Sequence, residues 1–223
     1  MREIPILMST PMVQANLEDR KNQTRRTKGL ECIQEIPFGT GLHRAPYQKE
    51  DMGWFYEVQT KVDDSEVCEL KCPYGKPGDR LWVRETWNTL TAYDEKPDYS
   101  VMSIRDFVYK ADGNRIDKWK PSIFMPREAC RILLEVTDVR VERLRDISEE
   151  DAIAEGIERA GYGWRSYEII HKGRHKGEAN PHSLVPNKSP ITSYMELWEA
   201  INGLGSWDKN PWVWVITFRR IQS

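Results

Sequence analysis

The stretch Glu18-Asp19-Arg20-Lys21-Asn22-Gln23-Thr24-Arg25-Arg26 crowds a lysine, a hydroxyl and three guanidiniums into nine residues where a short helix turns into a strand. Helix signals precede it. Thr10 is placed to cap, Pro11 falls at the first helical position, where its missing N–H costs nothing, and Val13 and Leu17 lie one turn apart. The helix is expected to end near Asp19 or Arg20. Strand alternation then puts Thr24 and Arg26 on one face and Arg25 on the other, with Lys21 on the connection able to reach over the Thr24 face. On charge pattern alone the stretch is a solvated basic turn. As a crowded junction it is a candidate site.

Composition narrows the classes. With 39% hydrophobic and 10% aromatic residues, the 223-residue chain supports a real core in one large domain or two small ones. The 33 basic and 35 acidic residues leave a formal net charge of -2, so affinity for nucleic acid must come from a local basic patch. No apolar run approaches the roughly 20 residues of a membrane span. Met1-Arg2-Glu3-Ile4-Pro5 lacks the cationic start and apolar block of a signal peptide, which predicts a cytoplasmic protein. Cys68 and Cys72 have a tempting spacing, but Cys32 and Cys130 are isolated and complete no zinc set. Reduced, unligated thiols and no metal are expected.

Working outward, Ile4 to Met8 fits a buried first strand. Pro37, Gly39, Gly41 and Pro46 mark the segment from Lys28 to Asp51 as loop with at most short strand pieces. Trp54 to Thr60 reads as a strand pairing with Glu66 to Cys72 in an inserted hairpin. Two Pro/Gly turns then feed an alternating strand with Leu81, Val83 and Glu85 on one face and Arg80, Trp82, Arg84 and Thr86 on the other. That second face is either a partly wet sheet surface or a pocket wall where guanidinium and indole stack on a planar ligand. Asp106 to Lys110 returns to strand character, and Trp119 to Arg127 reads as extended. Arg131 to Leu144 is the longest strand-like run, with Ile132, Leu134, Val136, Asp138 and Arg140 on one side.

Ser148 and Asp151 form a capping box opening a helix whose buried side is Ala152, Ile153, Gly156 and Ile157. Glu155 comes at the end of that helix, where the dipole does not favour a carboxylate; its plain reading is a surface glutamate. Gly161 to Lys188 reads as a mobile loop or lid, and the spacing of His171, His175 and His182 does not match a helical ligand pair. Ser189-Pro190 opens the last helix, with Tyr194, Leu197, Trp198 and Ile201 as its buried stripe, and Gly203 and Gly205 stop it. Trp212-Val213-Trp214-Val215-Ile216-Thr217-Phe218 is a core strand. The sum is one mainly β domain with peripheral helices (α+β), closed or nearly closed as a small β-barrel.

Four elements in this order resemble the ASCH domain, a member of the PUA-like superfamily of small β-barrels associated with RNA. They are Arg20-Lys21 with Thr24 and Arg26, then Gly78-Asp79-Arg80-Leu81-Trp82-Val83, then the strand and capped helix from Val136 to Gly156, then the terminal strand Trp212 to Phe218. The whole chain is also similar to long ASCH proteins carried by phages and prophages of enteric bacteria. The resemblance implies a single PUA-like domain over residues 1–223 with insertions at about 28–72, 88–118 and 158–189.

Among ASCH proteins, small bacterial amidohydrolases that remove the acetyl group from N4-acetylcytidine use a lysine, a threonine and a glutamate. Their lysine and threonine stand three apart before an arginine, as Lys21, Thr24 and Arg26 do here, and their glutamate aligns with Glu155. The likeness implies Thr24 as nucleophile and neutral Lys21 as its base, with Arg26 favouring the neutral form by like-charge repulsion. Glu155 would orient Lys21 or return a proton to the leaving amine. Arg20, Arg80, Trp82 and Arg84 join Arg26 as expected substrate contacts. The expected ligand is a nucleoside or single-stranded RNA, without cofactor, metal or membrane. Two other readings stay open: a non-catalytic binder of RNA or a modified base, and a phage interaction or morphogenesis protein that uses the barrel as scaffold. Arg25 is expected to point away from the site and to matter least.

Overall fold

Two long strands form the spine of the fold, and every element that matters to the site hangs from them. The structure is a computed structural model and describes residues 1–34, 46–49, 53–61, 64–90, 106–167 and 186–221. In chain order its elements are β1 (Glu3–Leu7), α1 (Thr10–Leu17), β2 (Gln23–Arg26), α2 (Glu31–Gln34), β3 (Tyr47–Lys49), β4 (Gly53–Lys61), β5 (Asp64–Leu70), β6 (Arg80–Arg84), β7 (Trp87–Leu90) and β8 (Asp106–Tyr109). There follow β9 (Leu133–Arg143), α3 (Glu149–Ala154), β10 (Arg159–Ala160), β11 (Gly163–Trp164), α4 (Pro190–Asn202) and β12 (Trp212–Ile221).

The main sheet has the order β1-β6-β9-β12-β2, parallel between β1 and β6 and antiparallel elsewhere. Along the β9–β12 ladder Val136 faces Phe218 but Asp138 faces Thr217, so Thr137 is a bulged extra residue. The buried set on β9 accordingly changes phase, from Leu134 and Val136 to Val139 and Val141. Unbroken alternation had placed Asp138 and Arg140 on the side of Val136. The bulge turns Arg140 to the opposite face, where it meets Asp151 of α3.

This is a mixed α/β fold, mainly sheet, and the expected barrel is not closed by strand pairing. Among the described residues β1 and β2 are unpaired edges. They are short, and α1, which connects them, packs Val13 into the same core instead. A side-chain bond bridges the two edges, from Arg26 Nη2 to the Leu7 carbonyl at 2.8 Å.

The sheet separates two apolar clusters. Ile6, Leu81, Leu134, Val136, Trp214 and Ile216 pack on one face; Val213 and Val215 meet Ile157, Tyr194, Trp198 and Trp207 on the other. A smaller cluster of Trp87, Tyr109, Met125 and Ala129 lies beside the β7–β8 ribbon.

Several local expectations need correction. Strand β1 is an edge with only Ile6 fully buried, and it is half wet for that reason. The segment from Lys28 contains the helix α2, and Trp119 to Arg127 contains 3-10 turns at Ser122–Phe124 and Arg127–Ala129. Ile153 and Ile201 are exposed, because α3 and α4 turn narrower stripes to the sheet than their sequences offer. The expected hairpin is present as β4–β5, with β3 added at its edge. His171, His175 and His182 lie outside the described residues. No helix among the described residues is long and apolar enough to cross a membrane.

Candidate functional site

The main chain brings the two ends of the candidate site together. Ser148 caps α3 by accepting the Asp151 N–H at 3.1 Å, and Glu149, Glu150 and Asp151 in the first turn suit the positive end of the helix. The helix stops at Glu155 because Gly156 takes φ +93°, a conformation that side chains resist. A Cβ at Gly156 would lie 2.8 Å from Ala15 Cβ and 3.0 Å from Lys21 Cβ, so the helix end lies directly on the α1–β2 connection. There Lys21 and Glu155 form an antiparallel bridge, and Asn22 N–H donates to the Ala154 carbonyl at 2.9 Å.

Side chains complete the junction. Lys21 Nζ donates to Glu155 Oε2 at 2.7 Å, to the Glu155 carbonyl at 2.8 Å and to the Gln23 carbonyl at 2.7 Å. An ammonium has three protons, and each has an acceptor. The other carboxylate oxygen, Glu155 Oε1, accepts from Arg25 Nη1 at 3.3 Å and from the Tyr194 hydroxyl at 3.4 Å. Arg25 also donates to Gln23 Oε1 at 2.7 Å, Glu142 Oε1 at 2.6 Å and Asp151 Oδ2 at 2.9 Å. Arg140 joins the same Asp151 carboxylate.

Burial sets the protonation balance. Desolvation lowers the Lys21 pKa below its ordinary 10.5; Glu155 opposes the shift, and Arg26 and Arg25 reinforce it. Burial likewise pushes the Tyr194 phenol well above 10, helped by the Glu155 charge. Desolvation works against the Arg25 charge, but Glu155, Tyr194 and Glu142 outweigh it and raise its pKa.

Beside this network lies a cavity of about 180 Å³, lined among others by Thr24, Arg26, Glu155, Tyr194, Trp198 and Met12. It opens beside β2, which is an edge of the main sheet among the described residues. Thr24 is buried, and its hydroxyl makes no hydrogen bond among the described residues. Lys21 lies behind Glu155 and outside the lining.

The predicted residues thus fall into groups. Lys21 and Glu155 touch, and Thr24 and Arg26 share the cavity with Glu155. Arg20 sits beside the junction, donating to the Gly156 carbonyl at 2.8 Å and to Glu18. Arg80, Trp82 and Arg84 are elsewhere: β6 is separated from β2 by β9 and β12, and none of the three lines the cavity.

The expectation for Arg25 is corrected. It does alternate away from Thr24, but toward the face covered by α3 and α4, so it is buried against Glu155 instead of solvated. Sequence reasoning also missed Tyr194, read as packing. A tyrosine in a buried helical stripe has a hydroxyl that needs a partner, and that was the available signal.

Among the described residues no group of three or more His, Cys, Asp or Glu side chains is placed to hold a metal ion. No family model, no curated protein and no solved structure matches this chain.

Proposed function

We propose that the protein is an ASCH-type amidohydrolase that removes a small acyl group from N4-acylated cytidine. The observation that carries this reading is the buried Lys21–Glu155 pair at 2.7 Å beside a cavity lined by Thr24, whose hydroxyl makes no hydrogen bond among the described residues. About 180 Å³ is smaller than the roughly 300–1,000 Å³ of drug-sized ligand sites, which suits one acylated base.

In the proposed reaction Thr24 Oγ1 attacks the acyl carbon and its proton passes to Lys21 in its neutral form. Lys21 Nζ already holds the Gln23 carbonyl, part of the peptide bond that leads into Thr24; in its neutral form it keeps two N–H donors and turns its lone pair to accept the Thr24 hydroxyl proton as the substrate enters. Arg26 is the lining donor we assign to the oxyanion, since the single proton of the Tyr194 hydroxyl is already given to Glu155. Lys21 then returns the proton to the departing cytosine amine, and water, deprotonated by the same lysine, cleaves the threonine ester to free the carboxylic acid. Glu155 holds the lysine in place throughout.

The test is incubation with N4-acetylcytidine beside Lys21→Ala and Thr24→Val controls. Release of cytidine and acetate by the wild type alone supports the reading; full activity in either variant sinks it. A second reading, non-catalytic binding of a modified nucleoside, is favoured by the saturated coordination of Lys21 Nζ. It predicts base binding that survives Thr24→Val.

A further inference from the structure

The main chain of Arg25 is a buried polar group to which the steps above give no part. Leu144 N–H donates to the Pro211 carbonyl, and Phe218 N–H donates to the Asn22 carbonyl. In an antiparallel ladder such bonds recur at every second residue. Val213 and Val215 therefore bond β9, while Trp214 and Ile216 bond Arg26 and Thr24 of β2. Arg25, between those two, turns its N–H and C=O away from β12 toward the edge of the sheet. Among the described residues neither group has a hydrogen-bond partner. A buried N–H is almost always paired, so one left over marks the place of a water or a ligand.

The cavity is that place. Its walls include Met12 and Tyr74, which pack with the cluster on one face of the sheet, and Leu197 and Trp198, which pack with the cluster on the other. The space therefore lies in the plane of the sheet, beside β2. Arg25 contributes to the wall although its side chain is 0% exposed; the residue as a whole keeps 3%. What it shows to the cavity is main chain.

We propose that the Arg25 N–H is an oxyanion donor for the reaction at Thr24. This rests on reading Thr24 as the nucleophile of an amidohydrolase. A carbonyl whose oxygen accepts this N–H lies in the plane of the sheet, and the Thr24 side chain stands roughly perpendicular to that plane one residue away. The hydroxyl thus meets the face of the acyl carbon, the direction from which it adds. As Thr24 Oγ1 bonds to that carbon and gives its proton to neutral Lys21, the carbonyl π pair moves to the oxygen, and the negative charge forms against the Arg25 N–H. A main-chain N–H of the residue after the nucleophile has the same task in hydrolases that carry a serine on a strand-to-helix turn. The Arg25 side chain holds the donor still: on the far face its guanidinium donates to Gln23, Glu142, Asp151 and Glu155.

The first test replaces the Thr24–Arg25 peptide bond with an ester, which deletes this N–H and keeps the side chain. Cys32 gives access to the full chain by ligation of a synthetic 1–31 thioester to residues 32–223, and the all-amide chain made in the same way is the reference. An ester carbonyl at Thr24 is a weaker acceptor for Ile216, so an ester before Gln23, which weakens the Asn22 acceptor of the same ladder, is the control. With N4-acetylcytidine the Arg25 ester should lower kcat about a hundredfold to a thousandfold and leave KM within about threefold. The Gln23 ester should keep kcat within about fivefold. The second test uses methylboronic acid. Thr24 Oγ1 adds to boron and gives its proton to Lys21, leaving a tetrahedral boronate anion of the size of an acetyl group. In the free protein the Arg25 amide should exchange its hydrogen faster than those of Thr24 and Arg26, and in the adduct it should slow by about tenfold or more.

An Arg25 ester whose kcat stays within about tenfold of the reference overturns the proposal and leaves the amidohydrolase standing. Equal loss in both esters assigns the effect to the ladder and also overturns it. So does an Arg25 amide as protected as its two neighbours in the free protein, or one unchanged in the adduct. A wild type that releases no acetate from N4-acetylcytidine refutes the substrate; slowed Arg25 exchange with methylboronic acid then supports the oxyanion site for another acyl group, and its absence overturns both.

Discussion

Glu155→Gln removes one charge and almost no volume, so its effect isolates the buried ion pair. The Lys21 side chain is 0% exposed and that of Glu155 2%, and their 2.7 Å contact leaves no room for water between them. Deleting one partner of such a pair costs about 3–5 kcal/mol, against about 0–1 kcal/mol for an exposed pair. At about 2–4 °C per kcal/mol for a chain of this size, the melting temperature should fall by about 6–20 °C. The sign of the pH dependence follows from Lys21, whose folded pKa lies below 10.5. Between that lowered value and 10.5 the unfolded chain binds more protons, so stability rises with pH across the window. The variant loses the group that opposes the shift, so its window opens at lower pH and its slope is seen earlier. Tyr194, raised well above 10, acts in the opposite sense above pH 10, where only the unfolded phenol loses its proton. Denaturant unfolding of both proteins from pH 7 to 9.5 therefore reads the lysine. Lys21→Met/Glu155→Leu should be more stable than either single change, since it removes both charges together. A Glu155→Gln protein within about 1 kcal/mol of wild type, with no steeper pH slope, would refute the buried-pair reasoning.

Other outcomes follow from the same geometry. Arg25→Met takes one cation from Glu155, Glu142 and Asp151, of which the first keeps Lys21 and the other two keep Arg140, and should lose no more than about 3–5 kcal/mol in urea unfolding. Arg26→Gln, which gives up one bond to the Leu7 carbonyl, should lose no more than about 1.5 kcal/mol. Gly156→Ala forces a left-handed backbone onto a side chain and drives its Cβ into Ala15 and Lys21; about 1–2 kcal/mol of strain plus the overlap should show as a lowered melting temperature. The Cys72 thiol is pushed from 9.0 to about 11 by burial, so peptide-level mass spectrometry should find its alkylation at pH 8 about a hundredfold slower than that of an unperturbed thiol.

How far the sequence carried differs by element. The capped start of α3, the β4–β5 hairpin and the terminal strand were legible because each has a local signal: a Ser hydroxyl at the cap, two β-rich runs, an alternating aromatic strand. The phase change on β9 was not, since Thr137 is bulged only by its pairing with β12, a partner some eighty residues away. The same limit hid Arg25. Its alternation away from Thr24 was read correctly, but whether the far face is wet or covered depends on α3 and α4, which no local pattern in residues 18–26 discloses. Glu155 is the converse case. Its position at the end of a helix argued for solvent, and only the approach of Lys21 across the chain makes it a buried anion.

That approach explains why a costly buried charge network stands at this edge of the sheet. Backbone contacts already hold the end of α3 against the start of β2, through the Asn22–Ala154 bond and the close seat of Gly156. The side-chain ion pairs are therefore not needed to bring the two segments together, and apolar replacements of equal volume commonly serve stability as well or better. What the charges add is a buried lysine whose pKa is lowered by desolvation against the opposing pull of Glu155, one peptide unit from a threonine hydroxyl that makes no hydrogen bond among the described residues. The proposed proton transfer needs a lysine held in this way. Tyr194 and Arg25 belong to the same logic: both hold the Glu155 oxygen that does not face Lys21, fixing the carboxylate so that the lysine alone is left to exchange partners.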